Sequence, residues 1–137
     1  MMAYEFTRTI KFADVDPAAI VFYPRYFEMI NETVEEWFRH GLGIDFMTLT
    51  QERNRGVPLV HIEVDFMKPG FLYDELVFKL SPTRIGNSSV DIHIVATVIG
   101  EAVLKCDLVL AHINLKEKTG QPFDDDLRAK MSSFMEA

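Results

Sequence analysis

The sequence predicts an α+β domain in which a helix lies on an antiparallel sheet. Three observations predict it: a period-two run from Tyr4 to Phe12, one long amphipathic run from Pro24 to Phe38, and four further strand-like runs between Val60 and Leu115 joined mostly by short turns. With 137 residues, 48% of them apolar, the chain can build one continuous core but not two, so residues 1–137 read as a single domain.

In the first strand Tyr4, Phe6, Ile10 and Phe12 alternate with Glu5, Thr7, Thr9 and Lys11, with Arg8 the one exception to the pattern. The segment Ala13 to Pro24 follows, too rich in proline and apolar residues for an ordinary solvated loop. Pro24 suits the first position of a helix, because its missing N–H would have no helical partner there and its φ is already right. Tyr26, Phe27, Ile30, Val34, Trp37 and Phe38 then recur at three- and four-residue spacing, while Arg25, Glu28, Glu32, Glu35, Glu36 and Arg39 fall largely on the other side. Gly41 and Gly43 close this helix of about four turns, which needs something flat to pack on. Ile44 to Arg55 is weakly helical and ends at Gly56, with Arg53 and Arg55 in a loop.

The second half reads as strands. Val60, Ile62, Val64 and Phe66 alternate with His61, Glu63 and Asp65 up to Lys68-Pro69-Gly70. Leu76, Phe78 and Leu80 form a run ending at Ser81-Pro82. Val90, Ile92, Ile94 and Val98 form another, and a Gly100-Glu101 turn leads to Ala102–Leu115, apolar on both faces and therefore central. Lys116 to Pro122 is turn chemistry, and Asp126 to Met135 is a short helix. A cone-shaped α+β domain with an internal ligand cavity has a similar size but usually begins with helices.

Composition removes several classes of function. A net charge of −7 argues against a reader of the phosphate backbone, so no nucleic acid is expected. The one cysteine, Cys106, lies inside the apolar run Val103 to Leu110 and cannot form an internal disulfide or a C-x-x-C pair; a core thiol is expected. Met1 to Lys11 lacks the apolar core of a signal peptide, and no run approaches the roughly 20 apolar residues that span a bilayer, so the expectation is a cytoplasmic protein with no membrane partner. His61, His93 and His112 lie on strands and His40 near a helix end, with no spacing that suggests a metal. Ser88 and Ser89 lack a G-x-S-x-G context, which disfavours a serine hydrolase.

The chemistry concentrates between the first strand and the helix. Asp14 and Asp16 stand two apart, and the second precedes Pro17, which pushes Asp16 to extended backbone. At the helix start, unpaired N–H groups and the positive end of the macrodipole converge, ready for an anion or a carbonyl oxygen becoming one. A carboxylate and an oxyanion site sharing one pocket is one reading. Turn chemistry, with both acids bonded to nearby backbone N–H groups, is the other.

The run Phe12-Ala13-Asp14-Val15-Asp16-Pro17-Ala18-Ala19-Ile20-Val21-Phe22-Tyr23-Pro24-Arg25-Tyr26-Phe27 closely resembles the signature of the 4-hydroxybenzoyl-CoA thioesterase-like family of hot-dog-fold acyl-CoA thioesterases. The resemblance extends more loosely through Val64 to Pro69, Tyr73 to Leu76 and Arg84 to Ser89. It implies a curved antiparallel sheet wrapped around a long central helix, and a homodimer or homotetramer whose sites form between protomers. It implies hydrolysis of an acyl-CoA thioester with no metal and no cofactor beyond the coenzyme A of the substrate. The catalytic carboxylate falls on Asp16, as nucleophile or as general base on water, and the oxyanion donor falls on the backbone N–H of Tyr23. Pro17 and Ile20 are expected to border the substrate, and Arg84 and Ser88 to meet coenzyme A, with Lys68 or Arg55 as alternatives. His61, on a strand that faces the helix side, is expected in the acyl pocket. The small residue after Asp-Pro-Ala, often glycine in the family, is Ala19, and the Arg84 turn is less basic than in some relatives. Two other functions compete. A hot-dog dehydratase normally needs a His with its carboxylate, and none occurs from Asp14 to Pro24. A non-catalytic acyl- or aromatic-ligand-binding module would bind acyl-CoA yet release no thiol.

Overall fold

A computed structural model describes residues 3–136; the first two positions of the Met1 to Lys11 segment and the last residue of the chain lie outside it. In chain order the elements are β1 (Tyr4–Thr9), a 3-10 turn (Phe12–Asp14), α1 (Pro24–Glu36), wide turns at Trp37–Gly41 and Thr48–Glu52, β2 (Arg55–Gly56), β3 (Leu59–Phe66), β4 (Glu75–Ile85), β5 (Ser89–Val98), β6 (Glu101–Ala111), β7 (Ile113–Asn114), β8 (Thr119–Gly120) and α2 (Asp125–Ser132). The main sheet has the order β1-β4-β5-β6-β3, antiparallel at every pair. A second, three-stranded sheet has the order β2-β7-β8.

One face of the main sheet carries the core. Leu76, Phe78 and Leu80 of β4, Val90, Ile92 and Ile94 of β5, and Leu104, Cys106 and Leu108 of β6 are all buried. The apolar stripe of α1, with Met29, Ile30 and Val34, is buried with them. Each such side chain contributes about 1.5 to 3 kcal/mol when fully removed from water, which is why the amphipathic run forms a helix here rather than in isolation.

The element boundaries depart from the sequence pattern at several places. β1 stops at Thr9. Ile10 stays in the core, but the next apolar residue, Phe12, enters the 3-10 turn and is 79% exposed. β4 runs on through Pro82 to Ile85 with a bulge between Pro82 and Arg84. The proline is tolerated because β1 covers β4 only from Glu75 to Leu80, so the missing N–H falls where no neighbour waits on that side. The helix passes Glu36 into a π turn, with Leu42 N–H donating to the Trp37 carbonyl. Gly41 fits this turn because a Cβ there would lie 2.8 Å from the Trp37 indole. The Ala102–Leu115 run breaks at His112, so β6 ends at Ala111; β6 is interior, between β5 and β3.

Candidate active site

The Asp-Pro segment folds as a tight hairpin. Val15 bridges Val21, Asp16 N–H donates to the Ile20 carbonyl at 2.9 Å, and Ala19 N–H returns to the Asp16 carbonyl at 2.9 Å. Pro17 and Ala18 fill the turn, and Ala19 takes the left-handed bulge position, φ 63°. Asp16 Oδ1 accepts from Ala18 N–H at 2.8 Å. Oδ2 of Asp16 has no partner among the described residues, and the side chain is half-buried. The turn chemistry and the catalytic reading are thus compatible: one oxygen orients the carboxylate and the other is left for chemistry.

Asp14 does different work. It is buried and accepts from both terminal nitrogens of the Arg8 guanidinium, at 2.9 and 3.3 Å, and from Lys11 N–H at 2.8 Å. Burial acts to raise its carboxyl, but the Arg8 hydrogen bonds and the Lys11 N–H outweigh it and hold it below the ordinary value. Arg8 also donates through Nε to Glu32 of α1 at 3.1 Å. One guanidinium therefore ties β1, the hairpin base and the central helix together. The signal for this was Arg8 itself, the charge that broke the alternation of β1.

The far arm of the hairpin leads into the helix. Phe22 N–H donates to the Asp14 carbonyl, Arg25 N–H to Phe22 and Tyr26 N–H to Tyr23. The Tyr23 N–H, immediately before Pro24, finds no acceptor among the described residues. The entry is clamped from the side, where Val21 N–H donates to the Gly70 carbonyl and Gly70 N–H donates to Tyr26 Oη. Gly70 is required there, since a Cβ would lie 2.8 Å from that hydroxyl.

Within one chain, Asp16 and Tyr23 do not open into one pocket. Asp16 and Pro17 line a shallow concavity with Phe12 and Leu72. Tyr23 lines a neighbouring one with Tyr26, Phe66 and Met67. Further along α1, one and two turns beyond Tyr23, Phe27 and Asn31 border an apolar cavity of about 130 Å³ against Leu59, Ile62 and Leu108. Asn31 is its polar residue, and nothing in the helical pattern singled it out.

The other expected site residues scatter. Ile20 is half-buried and bridges Phe71, outside the Asp16 concavity. His61 does not line that cavity: it lies on the side of β3 that carries Glu63 and Asp65, opposite the cavity-facing Ile62, and is exposed, 3.4 Å from Glu63. Arg84 is exposed and lines none of these cavities, Ser88 is half-buried with its carbonyl accepting His112 N–H, and Lys68 is paired with Glu101. Among the described residues, no group of three His, Cys, Asp or Glu side chains is placed to hold a metal ion, and no helix is long and apolar enough to cross a membrane.

With this geometry in hand, comparison with known proteins decides the family. The model of the thioesterase superfamily matches residues 18–104. The chain belongs to the thioesterase superfamily. A curated relative, the 1,4-dihydroxy-2-naphthoyl-CoA hydrolase of Acaryochloris marina, is 26% identical over 125 residues, spanning 89% of this chain and 90% of that protein. A thioesterase superfamily structure from Jannaschia superposes with a TM-score of 0.91 at 24% identity, covering 98% of this chain and 94% of the other. A 1,4-dihydroxy-2-naphthoyl-CoA thioesterase from Synechocystis superposes at 0.86, 19% identical, covering 95% and 96%. These superpositions establish the hot-dog fold for this thioesterase superfamily member.

Proposed function

We propose that this thioesterase superfamily member is an acyl-CoA thioesterase, hydrolysing an acyl-CoA to the free acid and coenzyme A. One observation carries the reading: an unpaired backbone N–H, that of Tyr23, stands at the positive end of α1, and the hairpin that delivers it also carries an oriented, half-free carboxylate on Asp16. The thioester carbonyl oxygen takes the Tyr23 N–H as charge develops on it. Asp16 then attacks the carbonyl carbon and expels the thiolate, leaving a mixed anhydride that water opens, or it takes a proton from the water that attacks. Because the donor is backbone, the Tyr23 side chain is dispensable for it. The relatives act on naphthoyl thioesters by name, and the cavity of about 130 Å³ along α1 suits an acyl group of roughly one ring, close to the 150 Å³ that holds a benzene elsewhere.

The reading also calls for a second copy. Asp16 and Tyr23 open into separate shallow surfaces in one chain, and β3 leaves a free sheet edge beside exposed Leu59, Phe66 and Met67. Pairing through that edge to a homodimer, or onward to a homotetramer, covers both. Asp16→Asn is expected to lower thiol release across a panel of acyl-CoA substrates by about 10² to 10⁴ with an unchanged circular dichroism spectrum; undiminished release rules out the mechanism. Single turnover in ¹⁸O-water separates the two routes, since only the anhydride route leaves label in Asp16.

A further inference from the structure

A joint separates the two groups on which the proposed chemistry depends. The helix start carries the Tyr23 N–H: the Phe22 and Tyr23 carbonyls accept the Arg25 and Tyr26 N–H groups at 2.9 and 3.0 Å, so this peptide belongs to α1. The hairpin carries Asp16, and Phe22 N–H donates within the hairpin, to the Asp14 carbonyl at 2.9 Å. Phe22 is therefore the joint, its amide held by one body and its carbonyl by the other. Two struts span it. One is ionic and partly exposed, where Arg8 links Asp14 at the hairpin base to Glu32 of α1. The other is buried and neutral. Tyr26 Oη, from the first turn of α1, accepts the Gly70 N–H at 3.0 Å, and the Gly70 carbonyl accepts the Val21 N–H at 3.0 Å.

The buried strut is stiff at both ends. Tyr26 is 4% exposed, with its ring against Phe66 at 5.6 Å between centroids. Gly70 is buried too, and a Cβ on it would lie 2.8 Å from Oη and 2.9 Å from Ile10 Cδ1, so the loop is pressed against the hydroxyl. The other bonds of this loop to the hairpin, Leu72 N–H to the Ala19 carbonyl and the Phe71–Ile20 bridge, reach the tip and do not involve α1. Packing alone does not call for the hydroxyl, since phenylalanine would bury the same ring. What the oxygen adds is a fixed span from helix to hairpin arm. We propose that Tyr26 is a positioning residue that sets, through Gly70 and Val21, the distance between the Asp16 carboxylate and the Tyr23 N–H. Its part in hydrolysis rests on the thioesterase reading above; its hold on the hairpin does not. Without the oxygen, the buried Gly70 N–H has no acceptor among the described residues and must move toward water, taking Val21 with it.

The test is Tyr26→Phe in the full chain, read by ¹⁵N relaxation of the backbone amides and by kcat and KM over a panel of acyl-CoA substrates. The Val15, Val21 and Phe22 amides are expected to fall from rigid order parameters of about 0.85 to about 0.6 or below, while the Ile30 and Val34 amides of α1 stay rigid. On the kinetic side kcat is expected to fall by about 10- to 100-fold with KM within about twofold, the pattern of groups misplaced for the transition state alone. A residue that only packs would leave both readings where they are, whatever its effect on the melting temperature. Hairpin amides that stay rigid, or a loosened hairpin with kcat unchanged, overturn the proposal. A wild type that releases no thiol from any substrate, with the hairpin loosened in the variant, removes the thioesterase reading and upholds the hold of Tyr26 on the hairpin. Should Tyr26→Phe not fold, amide exchange in the wild type decides: protection of both the Gly70 and Val21 N–H groups upholds the strut, and exchange of either at the free-peptide rate overturns it.

Discussion

Ile99 is a β-branched residue at φ 48°, a region where Cβ crowds the following carbonyl oxygen at a cost of about 1 to 2 kcal/mol. It shares a two-residue turn with Gly100, φ 77°, between paired Val98 and Glu101, and its side chain is 97% exposed. The strain therefore secures no packing. Ile99→Asn converts the turn to Asn-Gly, the pair preferred where both φ values are positive, and is expected to stabilise the chain by about 1 kcal/mol and raise Tm by about 3 °C; a thermal melt with Tm unchanged or lower refutes it. Cys106 shows the opposite balance. Fully buried under α1, its thiol is pushed up to about 12 by burial, with the Asp107 charge adding to it. It is held as the inert thiol. An aromatic disulfide reagent at pH 8 should react with it only at the rate of global opening, and fast stoichiometric labelling of the native protein would contradict this.

Among the elements, the tie between β1, the hairpin and α1 fixes the base of the hairpin that carries Asp16 and leads to the Tyr23 N–H. Arg8→Met leaves Asp14 buried and without its cation, at a cost of about 3 kcal/mol, read from denaturant midpoints. The pH dependence has a definite sign. The Asp14 carboxyl is lowered in the folded state, so its contribution is complete above the unfolded value of about 3.9 and is lost as pH falls through the lower folded one. The stability gap between wild type and Asp14→Asn is therefore full at pH 6 and closes below about pH 4; a gap that widens on acidification excludes the assignment. The same elements show what a linear pattern can carry. The α1 stripe and the alternation of β3 to β6 follow from periods of 3.6 and 2, which burial on one face enforces, and they were legible. The turn chemistry at Asp16 and the helix start at Pro24 were legible because proline restricts the backbone locally. The exposure of Val60, which the alternation puts on the Ile62 face, was not, because the bulge between Leu59 and His61 is set by pairing with β6. Nor were β2, β7 and β8, each two residues long and so too short for any period. The bond between Tyr26 and Gly70 joins residues 44 positions apart, a convergence that only the tertiary fold makes.

On the scale of the whole molecule, the sheet has two edges with unequal protection. β3 ends the order, with most of its residues exposed along its length. Natural edges are usually blunted by charge, proline or cover. β3 does carry His61, Glu63 and Asp65, yet it also exposes Leu59, Val60 and Phe66, with Met67 just beyond. An apolar edge beside the two half-open surfaces of the proposed site is what a symmetric pairing with a second copy would cover. Val60 is the test position: it sits at the bulge, outside the β3–β6 register, and is 60% exposed, so a charge there costs the single chain little. Wild type is expected to sediment as a dimer or tetramer at micromolar concentration. Val60→Glu is expected to shift the distribution toward monomer, with an unchanged circular dichroism spectrum and thiol release falling in proportion to the dimer lost. A wild type that sediments as a monomer at full specific activity would place the whole site within one chain and remove the reason for the pairing.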